Sequence, residues 1–539
     1  MPPLIQQKPD RRFVLMLPLL LLSVVAGLAH GASWYFPGWW VGAWIGQVLL
    51  VHIAITCGPR AALLLGLLAG LIGNGWAFSW APRSLELCMG TNYLSGGLLF
   101  AALSAWESIE FGLFCFLASL SMRRGPLGLF GIPLAWVTVE YCWPKIFPWM
   151  LGYSQLELLS LLQVAELTGS YGIGFLVTAM ATLPAAFWNA WRPNNQGAEV
   201  RRVREYALSM GGIFIVAIVF GEWRIAQLRQ QVVASEPLRI AVVQVDTGLH
   251  GSSEKLHKLT MSIPDDVQLV CWPESAIGTY DNQLADFTDS VRTRKLSRES
   301  YDNIRPTEGI RFELLAGGRT FDTDAPAEGP YAMTAFLLNA KEQIIGRYRK
   351  RALMPFGEYV PGESHIPQLR SLVTLNEYIA AGQDPSPLIS SQGVRLGVVI
   401  CYEDVLPKIV RATAAHDAEI LFSIINATAF EEPLTLEQHK RLAVMRAVEN
   451  RRFFVRCSST GVTCIISPTG EIVAELKKGT EGTLIHDVAR LQTRTFYTAC
   501  GDLFSIACIL ILAVCLISRN PFRPHRAGNT PPPCPSPEA

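Results

Sequence analysis

The sequence contains little charge for a chain of 539 residues. Only 17% of its residues are Asp, Glu, Lys or Arg, the formal net charge is +1, and half of the residues are hydrophobic. Soluble domains carry about 25% charged residues, so this composition argues against a wholly soluble protein and predicts several membrane-spanning segments. Because no basic excess is present, the sequence gives no support for nucleic-acid binding.

Cysteine pairs with metal-ligand spacing are also missing. None of the twelve cysteines stands at a zinc-ligand spacing from another, so we expect no metal site, and we expect no cofactor. Four cysteines lie in apolar runs and four in the polar region, too few there for a disulfide scaffold. For Cys457 and Cys464 two alternatives remain open. They could form a disulfide bridge, or both could be small buried apolar residues.

Long apolar runs, by contrast, are abundant. Eight of them approach the roughly 20 residues that cross the hydrocarbon core of a bilayer. They are residues 13–29, 38–56, 60–80, 94–121, 127–143, 169–190, 207–223 and 500–518. The first follows Lys8, Arg11 and Arg12 as a signal peptide would, but further spans follow at once, so we interpret it as an anchor.

The arginine-rich loops give the orientation of these spans. Because successive runs cross the membrane in opposite directions, every second connection lies on the same face of the membrane. The arginine-rich loops all lie on one such face, which should therefore be cytoplasmic. The loops contain Arg11 and Arg12, Arg60, Arg123 and Arg124, Arg201, Arg202 and Arg204, and Arg519, Arg523 and Arg526. We predict a transmembrane domain of about seven helices at 1–227, a polar domain on the far side of the membrane at 228–495, a C-terminal transmembrane helix at 496–520 and a disordered cytoplasmic tail at 521–539.

The polar region has the pattern of an α/β domain. Its strand candidates, rich in Val, Ile, Leu and Phe, are 238–245, 267–272, 312–316, 334–339, 394–400, 419–425, 452–457 and 462–467. The clearest helix is predicted from Thr435 to Asn450, where apolar residues recur at helical intervals. Thr435 and Gln438 have the spacing of a capping box at its start.

Three residues with complementary chemistry follow apolar segments of this region. Cys401 ends the run from Val394, Glu274 closes the run from Val267, and Lys350 follows residues 343–349. A free thiol has a pKa of about 8.5, so it is mostly protonated at neutral pH and needs a nearby base or cation to become a nucleophile. Glu274 would take the proton and Lys350 would stabilise the anion and the oxyanion of an attacked carbonyl.

Each of these residues has an ordinary structural interpretation as well. A Glu after a strand is usually a solvated surface group, a Lys among arginines is usually part of a basic run, and a Cys ending an apolar strand is usually core. Local sequence favours catalysis instead. Trp272-Pro273-Glu274-Ser275, Tyr348-Arg349-Lys350 and Cys401-Tyr402-Glu403-Asp404 resemble, in order, the Glu, Lys and Cys motifs of the nitrilase or carbon-nitrogen hydrolase superfamily.

A more specific resemblance follows Lys350. Residues 353–361, Leu-Met-Pro-Phe-Gly-Glu-Tyr-Val-Pro, resemble the characteristic loop of apolipoprotein N-acyltransferases, which also carry about seven spans before this domain and one after it. The resemblance implies a polytopic α-helical membrane domain joined to a nitrilase-like α-β-β-α sandwich. It also implies a multi-pass protein of the bacterial inner membrane with a periplasmic catalytic domain.

The resemblance further implies a ping-pong acyl transfer. An acyl chain of a membrane phospholipid would pass to Cys401 as a thioester and then to the α-amino group of a lipoprotein's diacylglyceryl-cysteine, with Glu274 and Lys350 completing the triad. Glu358 and Glu403 would orient Lys350 or the incoming amine, and Tyr402 would shape the acyl-side wall.

One loop departs from the family pattern. The family often has Asn-Asp-x-Trp-Phe where this chain reads Asn426-Ala427-Thr428-Ala429-Phe430, which predicts altered substrate contacts and an altered donor preference or rate.

Three alternatives remain at this point. A membrane-tethered amidase or nitrilase would use the same triad with water as acceptor. A transporter with an inert binding domain would carry more ionisable residues within its spans than the chief pair here, Glu107 and Glu110. A catalytically dead relative would retain the motifs without the geometry. The donor headgroup and acyl length, the client lipoproteins and the oligomeric state cannot be read from the sequence.

Overall fold

The computed structural model describes residues 11–90, 92–124, 127–191, 197–245, 252–277, 279–281, 307–321, 331–372, 379–428 and 432–517. Residues up to 234 within these ranges are almost entirely helical. The helices are α1 Arg11–Tyr35, α2 Trp40–Thr56, α3 Pro59–Ala77, α4 Ala81–Met89, α5 Tyr93–Met122, α6 Gly128–Cys142, α7 Leu159–Leu162, α8 Ala165–Thr168, α9 Ser170–Ala190 and α10 Gly197–Ala234, with a 3₁₀ helix at Leu151–Gln155. The predicted tail 521–539 lies outside the described residues.

Apolar helices overlap all eight predicted spans. Five of them, in α1, α3, α5, α9 and α10, are long and apolar enough to cross a membrane, and α2, α6 and the C-terminal helix Leu503–Ile517 are apolar helices of 15 to 17 residues. Large apolar side chains such as Leu98 and Val216 are exposed on this part, as expected for surfaces that face lipid. The polytopic helical class is confirmed, whereas the sidedness and the domain boundaries stay predictions.

Small residues allow the helices to pack closely. A Cβ added to Gly66 of α3 would lie 2.4 Å from the carbonyl oxygen of Phe111 in α5, and one added to Gly70 would lie 2.8 Å from the Cα of Ser108. Interfaces of small residues are typical of membrane helices, because apolar burial alone gives little driving force within lipid.

After Ala234 the chain forms a strand-rich part. The strands are β1 Pro237–Gln244, β2 Leu269–Cys271, β3 Thr279–Asp281, β4 Glu313–Phe321, β5 Tyr331–Leu338, β6 Ile344–Arg349, β7 Leu388–Ile389, β8 Arg395–Ile400, β9 Ile420–Ile425, β10 Phe454–Ser458, β11 Thr463–Ile466, β12 Ile472–Leu476 and β13 Gly482–Ala489. The helices are α11 Ser252–Met261, α12 Pro407–Ala415, α13 Pro433–Asn450, α14 Phe496–Cys500 and α15 Leu503–Ile517, with 3₁₀ helices at Pro367–Leu372 and Cys401–Val405.

Two sheets pack face to face in this part. The first has the order β13-β1-β2-β4-β5-β6 with β3 beside β4, and the second has the order β12-β11-β10-β9-β8-β7. The Cys457 sulfur of β10 lies 3.4 Å from the Cys271 carbonyl oxygen and 3.6 Å from that of Val243, which places the two inner faces in contact. Helix α11 packs on the first sheet, and α12 and α13 pack on the second. The predicted α-β-β-α sandwich is confirmed.

One local prediction is wrong, and one pair of open alternatives is decided. Helix α13 begins at Pro433, and no side chain among the described residues caps its start, so Thr435 and Gln438 form no capping box. The Gln438 side chain instead donates to the carbonyl oxygens of Trp34 and Ala77 in the helical part. Cys457 and Cys464 are both free, buried thiols, which excludes the bridge between them.

Helix α13 lies between the second sheet and the helical part, and buried charges join the two. Arg446 donates to the Tyr153 hydroxyl at 2.7 Å and pairs with Glu449 at 3.0 Å. Just after the helix, the Arg451 guanidinium contacts Glu166 at 2.6 Å, and Glu166 also pairs with Arg224 of α10 at 2.9 Å. Because Arg451 is fully buried, separating the two parts would leave its charge without the Glu166 carboxylate.

Candidate active site

Cys401 lies at the carboxyl end of β8, where the strand turns directly into a 3₁₀ helix. Its φ angle is +51°, a left-handed backbone conformation that costs a residue with a side chain on the order of 1–3 kcal/mol. The surrounding structure holds it there, because the Ile400 N–H before it donates to the Glu403 carboxylate three residues later at 2.7 Å. This tight turn directs the thiol away from the strand that precedes it.

Glu274 and Lys350 meet Cys401 from the first sheet. Glu274 follows β2 and Lys350 follows β6, and the Lys350 Nζ lies 3.9 Å from a Glu274 carboxylate oxygen. The Cys401 thiol interacts electrostatically with the same carboxylate and with Lys350. Lys350 is 1% exposed, Glu274 6% and Cys401 8%. The structure therefore brings together the three residues that the sequence motifs predicted.

Burial and mutual charge set the protonation states of these three groups. Burial raises the pKa of Cys401 well above its ordinary value, the Glu274 carboxylate adds to this effect, and Lys350 opposes it. Burial also raises the pKa of Glu274, again against the influence of Lys350. For Lys350, burial alone would lower the pKa, but Glu358, Cys401 and Glu274 together raise it. Before substrate binds, Cys401 is therefore a protonated thiol, Lys350 stays a charged ammonium, and the Glu274 carboxylate is more basic than an exposed one.

Glu358 holds Lys350 from the other side. One of its carboxylate oxygens accepts from the Lys350 ammonium at 2.6 Å, and the other accepts the Met354 N–H at 2.7 Å. The loop between them is tight, with Phe356 at φ +62° and its N–H bonded to the Tyr359 carbonyl. Of the two predicted functions of Glu358, its contacts are those of a group that orients Lys350.

The Glu403 carboxylate binds the backbone beside Lys350 and Cys401, and its predicted role of orienting Lys350 or the incoming amine stays a prediction. Its carboxylate is fully buried and accepts four hydrogen bonds, none of them from the Lys350 ammonium. The donors are the Tyr348 hydroxyl at 2.8 Å and the N–H groups of Ile400 at 2.7 Å, Arg351 at 2.6 Å and Ala352 at 3.0 Å. Glu403 therefore fixes the backbone directly after Lys350 and directly before Cys401.

A cavity of about 390 Å³ opens beside Cys401. It is lined by Trp80, Phe147, Trp149, Met354, Cys401, Tyr402, Val405, Thr435, His439 and Leu442. Tyr402 anchors one wall, since its hydroxyl donates to the Ile146 carbonyl and its ring meets Phe147 edge-on at 5.6 Å. The tyrosine next to the thiol thus binds a loop of the helical part, in keeping with its predicted place on the acyl-side wall. We call this space the nucleophile cavity.

A second, open cavity of about 670 Å³ lies among α3, α4, α5 and the loop after α6. Trp80, Phe147, Trp149 and Met354 line both cavities, so the two spaces adjoin. Its other lining residues are largely apolar, although Glu107 also lies there, while Glu110 forms an ion pair with Lys145 at 2.7 Å. We call this space the helix cavity.

The sequence did not predict most of the residues that build these walls. In the nucleophile cavity most of them come from three segments far apart in the chain, namely the α3 to α4 turn, the loop after α6, and α13. A local signal exists only as aromatic residues beside predicted spans, and such residues are ordinary at a membrane interface. Asp404 and His439 were missed for the same reason. Within the described ranges, no three His, Cys, Asp or Glu side chains are grouped so as to hold a metal ion.

Comparisons with known proteins cover both parts of the chain. The family described as "Apolipoprotein N-acyltransferase N-terminal domain" matches residues 26–183, and the family described as "Carbon-nitrogen hydrolase" matches residues 239–497. An apolipoprotein N-acyltransferase of Geobacter metallireducens is 28% identical, over 92% of this chain and 94% of that protein. One of Methylococcus capsulatus is 26% identical, over 93% and 96%.

Among solved structures, an amidase from Nesterenkonia sp. is similar to the strand-rich part. It is 20% identical, with a TM-score of 0.34, and the match covers 48% of this chain and 92% of the amidase.

Proposed function

Because the chain belongs to the apolipoprotein N-acyltransferase family, we propose that it moves an acyl chain from a membrane phospholipid, through a thioester on Cys401, to the α-amino group of a lipoprotein's N-terminal diacylglyceryl-cysteine. One observation carries this proposal above all. The buried thiol, ammonium and carboxylate adjoin a largely apolar space formed with the membrane helices. A lipid acyl chain is the substrate that such a space fits.

The first half-reaction forms the thioester. Glu274 accepts the thiol proton as the sulfur attacks the ester carbonyl of the phospholipid. Negative charge then develops on the carbonyl oxygen, where the fixed ammonium of Lys350 stabilises it. When the tetrahedral intermediate collapses, Glu274 returns the proton to the departing alkoxide and a lysophospholipid leaves. Each proton has a defined donor and acceptor, and no nucleotide or metal is required.

The second half-reaction transfers the acyl chain to an amine. The α-amino nitrogen of the lipoprotein attacks the thioester carbonyl, the C–S bond breaks, and the sulfur of Cys401 recovers a proton through Glu274. Lys350 stabilises the same oxygen as before. Glu358 supports both steps by holding the ammonium, and Glu403 supports them by fixing the backbone beside Lys350 and Cys401.

Water would end this cycle early by hydrolysing the thioester, as in a membrane-tethered amidase. The aromatic residues Trp80, Phe147 and Trp149 around the thiol support transfer instead, because they limit the access of water to the intermediate. No contact in the described chain favours the amidase alternative. Both substrates are anchored in lipid, and we place the strand-rich part on the periplasmic face of a bacterial inner membrane.

The test uses the purified full chain in phospholipid vesicles with a synthetic diacylglyceryl-cysteinyl peptide. Mass spectrometry should detect an acyl adduct on Cys401 before the peptide is added and an N-acylated peptide afterwards. Cys401→Ser should give neither product, and Lys350→Ala should remain folded but form no thioester. Cys500→Ser, which alters an exposed thiol of α14, is the matched control and should retain both products. A peptide that gains no acyl group from the intact protein would refute the proposal.

A further inference from the structure

The second half-reaction poses a proton problem, and the inference drawn from it rests on the proposed function. An α-amino group with a pKa of about 7.7–8.0 is mostly an ammonium at neutral pH. It must lose two protons to become an amide nitrogen, but the sulfur of Cys401 takes up only one. Glu274 can carry that one. A second base near the thioester is therefore required for the other proton, or else the amine must enter already neutral.

The nucleophile cavity contains such a group. His439 of α13 lines this cavity together with Cys401, whereas Glu274 and Lys350 are not among the residues that line the cavity. The His439 Nε2 lies 2.5 Å from a carboxylate oxygen of Asp404, and the Ser423 hydroxyl donates to the other Asp404 oxygen at 3.0 Å. Asp404 is fully buried. A histidine is thus fixed by a carboxylate on one ring nitrogen while its ring faces the reacting thiol's cavity.

The carboxylate determines which nitrogen of His439 is basic. Burial alone would raise the pKa of Asp404, but His439, Arg456 and the Ser423 hydroxyl outweigh it and lower this pKa, so Asp404 is ionised and accepts the Nε2 hydrogen. In the neutral ring the lone pair then lies on Nδ1. Burial lowers the pKa of His439 against the influence of Asp404, so the imidazole is neutral and able to accept a proton.

We propose that His439, positioned by Asp404, is the base that takes the first proton from the α-ammonium of the lipoprotein acceptor. The nitrogen then attacks the thioester, forming the C–N bond and breaking the C–S bond. The second proton passes through Glu274 to the leaving sulfur, and the proton on His439 leaves to solvent. One ammonium and one thioester thus give one amide, one thiol and one released proton.

The groups around His439 suit a base that gains and loses a proton within one turnover. Asp404 and Arg456 are the charged groups that interact with it, and Cys401 and Tyr402 are the other titratable groups on the nucleophile cavity. Asp404 stabilises the imidazolium when it forms. Arg456 is fully buried, and its three guanidinium nitrogens have no hydrogen-bond partner in the part of the chain that the structure describes, so its charge is little screened and opposes a lasting positive charge on His439.

The experiment separates the two half-reactions in His439→Gln, which keeps a donor toward Asp404 but removes the base. Vesicles of phospholipid without peptide report thioester formation on Cys401. Addition of the diacylglyceryl-cysteinyl peptide then reports amide formation, followed from pH 6.5 to 9. We expect thioester formation to stay near the wild-type rate, and amide formation to fall about 10- to 100-fold at pH 6.5. The deficit should shrink to within about two-fold at pH 9, where the amine is already neutral.

Two further variants complete the test. Asp404→Asn should steepen the same pH profile, and His416→Gln, which alters an exposed histidine directly after α12, should match the wild type at every pH. A His439→Gln profile parallel to the wild type, or an equal loss in both half-reactions, would show a purely structural histidine and overturn the inference. Failure of the wild type to form amide would instead refute the proposed function, so the two outcomes are distinguishable.

Discussion

Replacing Glu403 by Gln tests whether this carboxylate builds the site through the backbone. All four of its partners donate hydrogen bonds, and the ionised carboxylate accepts all of them at once, although burial raises its pKa. An amide keeps one accepting oxygen but turns an NH₂ group toward two donors. The Tyr348 hydroxyl can rotate to accept, because it is an acceptor as well as a donor. A backbone N–H cannot accept a hydrogen bond, so one backbone N–H group is left without a partner in Glu403→Gln.

The cost can be worked out from these contacts. One buried unpaired N–H costs about 1–3 kcal/mol, and the bonds that remain lose the extra strength of a charged acceptor, for a total of about 2–5 kcal/mol. At about 2–4 °C per kcal/mol for a domain of this size, the apparent midpoint of thermal unfolding should fall by about 4–20 °C. The lost anchor lies beside Lys350 or Cys401, and a displacement near 1 Å can cost about 100-fold in rate.

The assay compares unfolding in detergent with single-turnover thioester formation in vesicles. Tyr348→Phe is the matched variant, because it removes one of the four donors and leaves the carboxylate with three. We expect it to cost about 1–2 kcal/mol and to affect thioester formation much less than Glu403→Gln. If Glu403→Gln melts at the wild-type temperature and forms thioester at the wild-type rate, the carboxylate does not position these two residues and the reasoning is refuted.

Three further predictions follow from the geometry. Thioester formation requires ionised Glu274, and burial raises the pKa of this residue. The rate of thioester formation should therefore increase with pH, with a midpoint above the ordinary glutamate pKa of about 4.3. A rate that does not change with pH across that range would contradict this. Gly317→Ala places a Cβ 2.6 Å from the Glu274 Cα and should slow thioester formation at least about ten-fold, whereas Gly346→Ala, whose nearest contact is the end of the Leu388 side chain at 3.2 Å, should not. Glu166→Gln leaves Arg451 buried without its carboxylate partner and should destabilise the fold by about 3–5 kcal/mol; the same change at exposed Glu205 should cost under about 1 kcal/mol in the same unfolding assay.

The features that the sequence predicted correctly depend on short-range patterns. Apolar runs near 20 residues must be helical in lipid, because their backbone groups have no other partners there. Fully buried strands such as β8 and β9 are continuous apolar runs and are visible as such. The proximity of Glu274, Lys350 and Cys401 follows from their places at strand ends, which the two sheets bring to one side of the sandwich.

The features that were missed depend on partners distant in sequence. Strands β12 and β13 contain many half-exposed residues, and β7 has two residues, so none shows a clear apolar run. The hydrogen bond from the Trp80 indole to Gln438 joins residues 358 positions apart. Glu403 was expected to orient Lys350 or the incoming amine, and its hydrogen bonds with the backbone N–H groups of Ile400 and Arg351 could not be predicted from the sequence. No local pattern reports which of these contacts a side chain will make.

The candidate active site also depends on residues that are distant in sequence. This explains why the chain joins a hydrolase-like fold to membrane helices. The strand-rich part supplies the thiol, the ammonium and the carboxylate, but Trp80, Phe147 and Trp149 of the nucleophile cavity belong to the helical part. Helix α13 contributes to both, since His439 lines the cavity while Gln438 and Arg446 bind the membrane helices. Without those helices, the same thiol would open to water, and a thioester formed there would be hydrolysed. Transfer to an amine therefore depends on the junction between the two parts, and the buried ion pairs beside it maintain that junction.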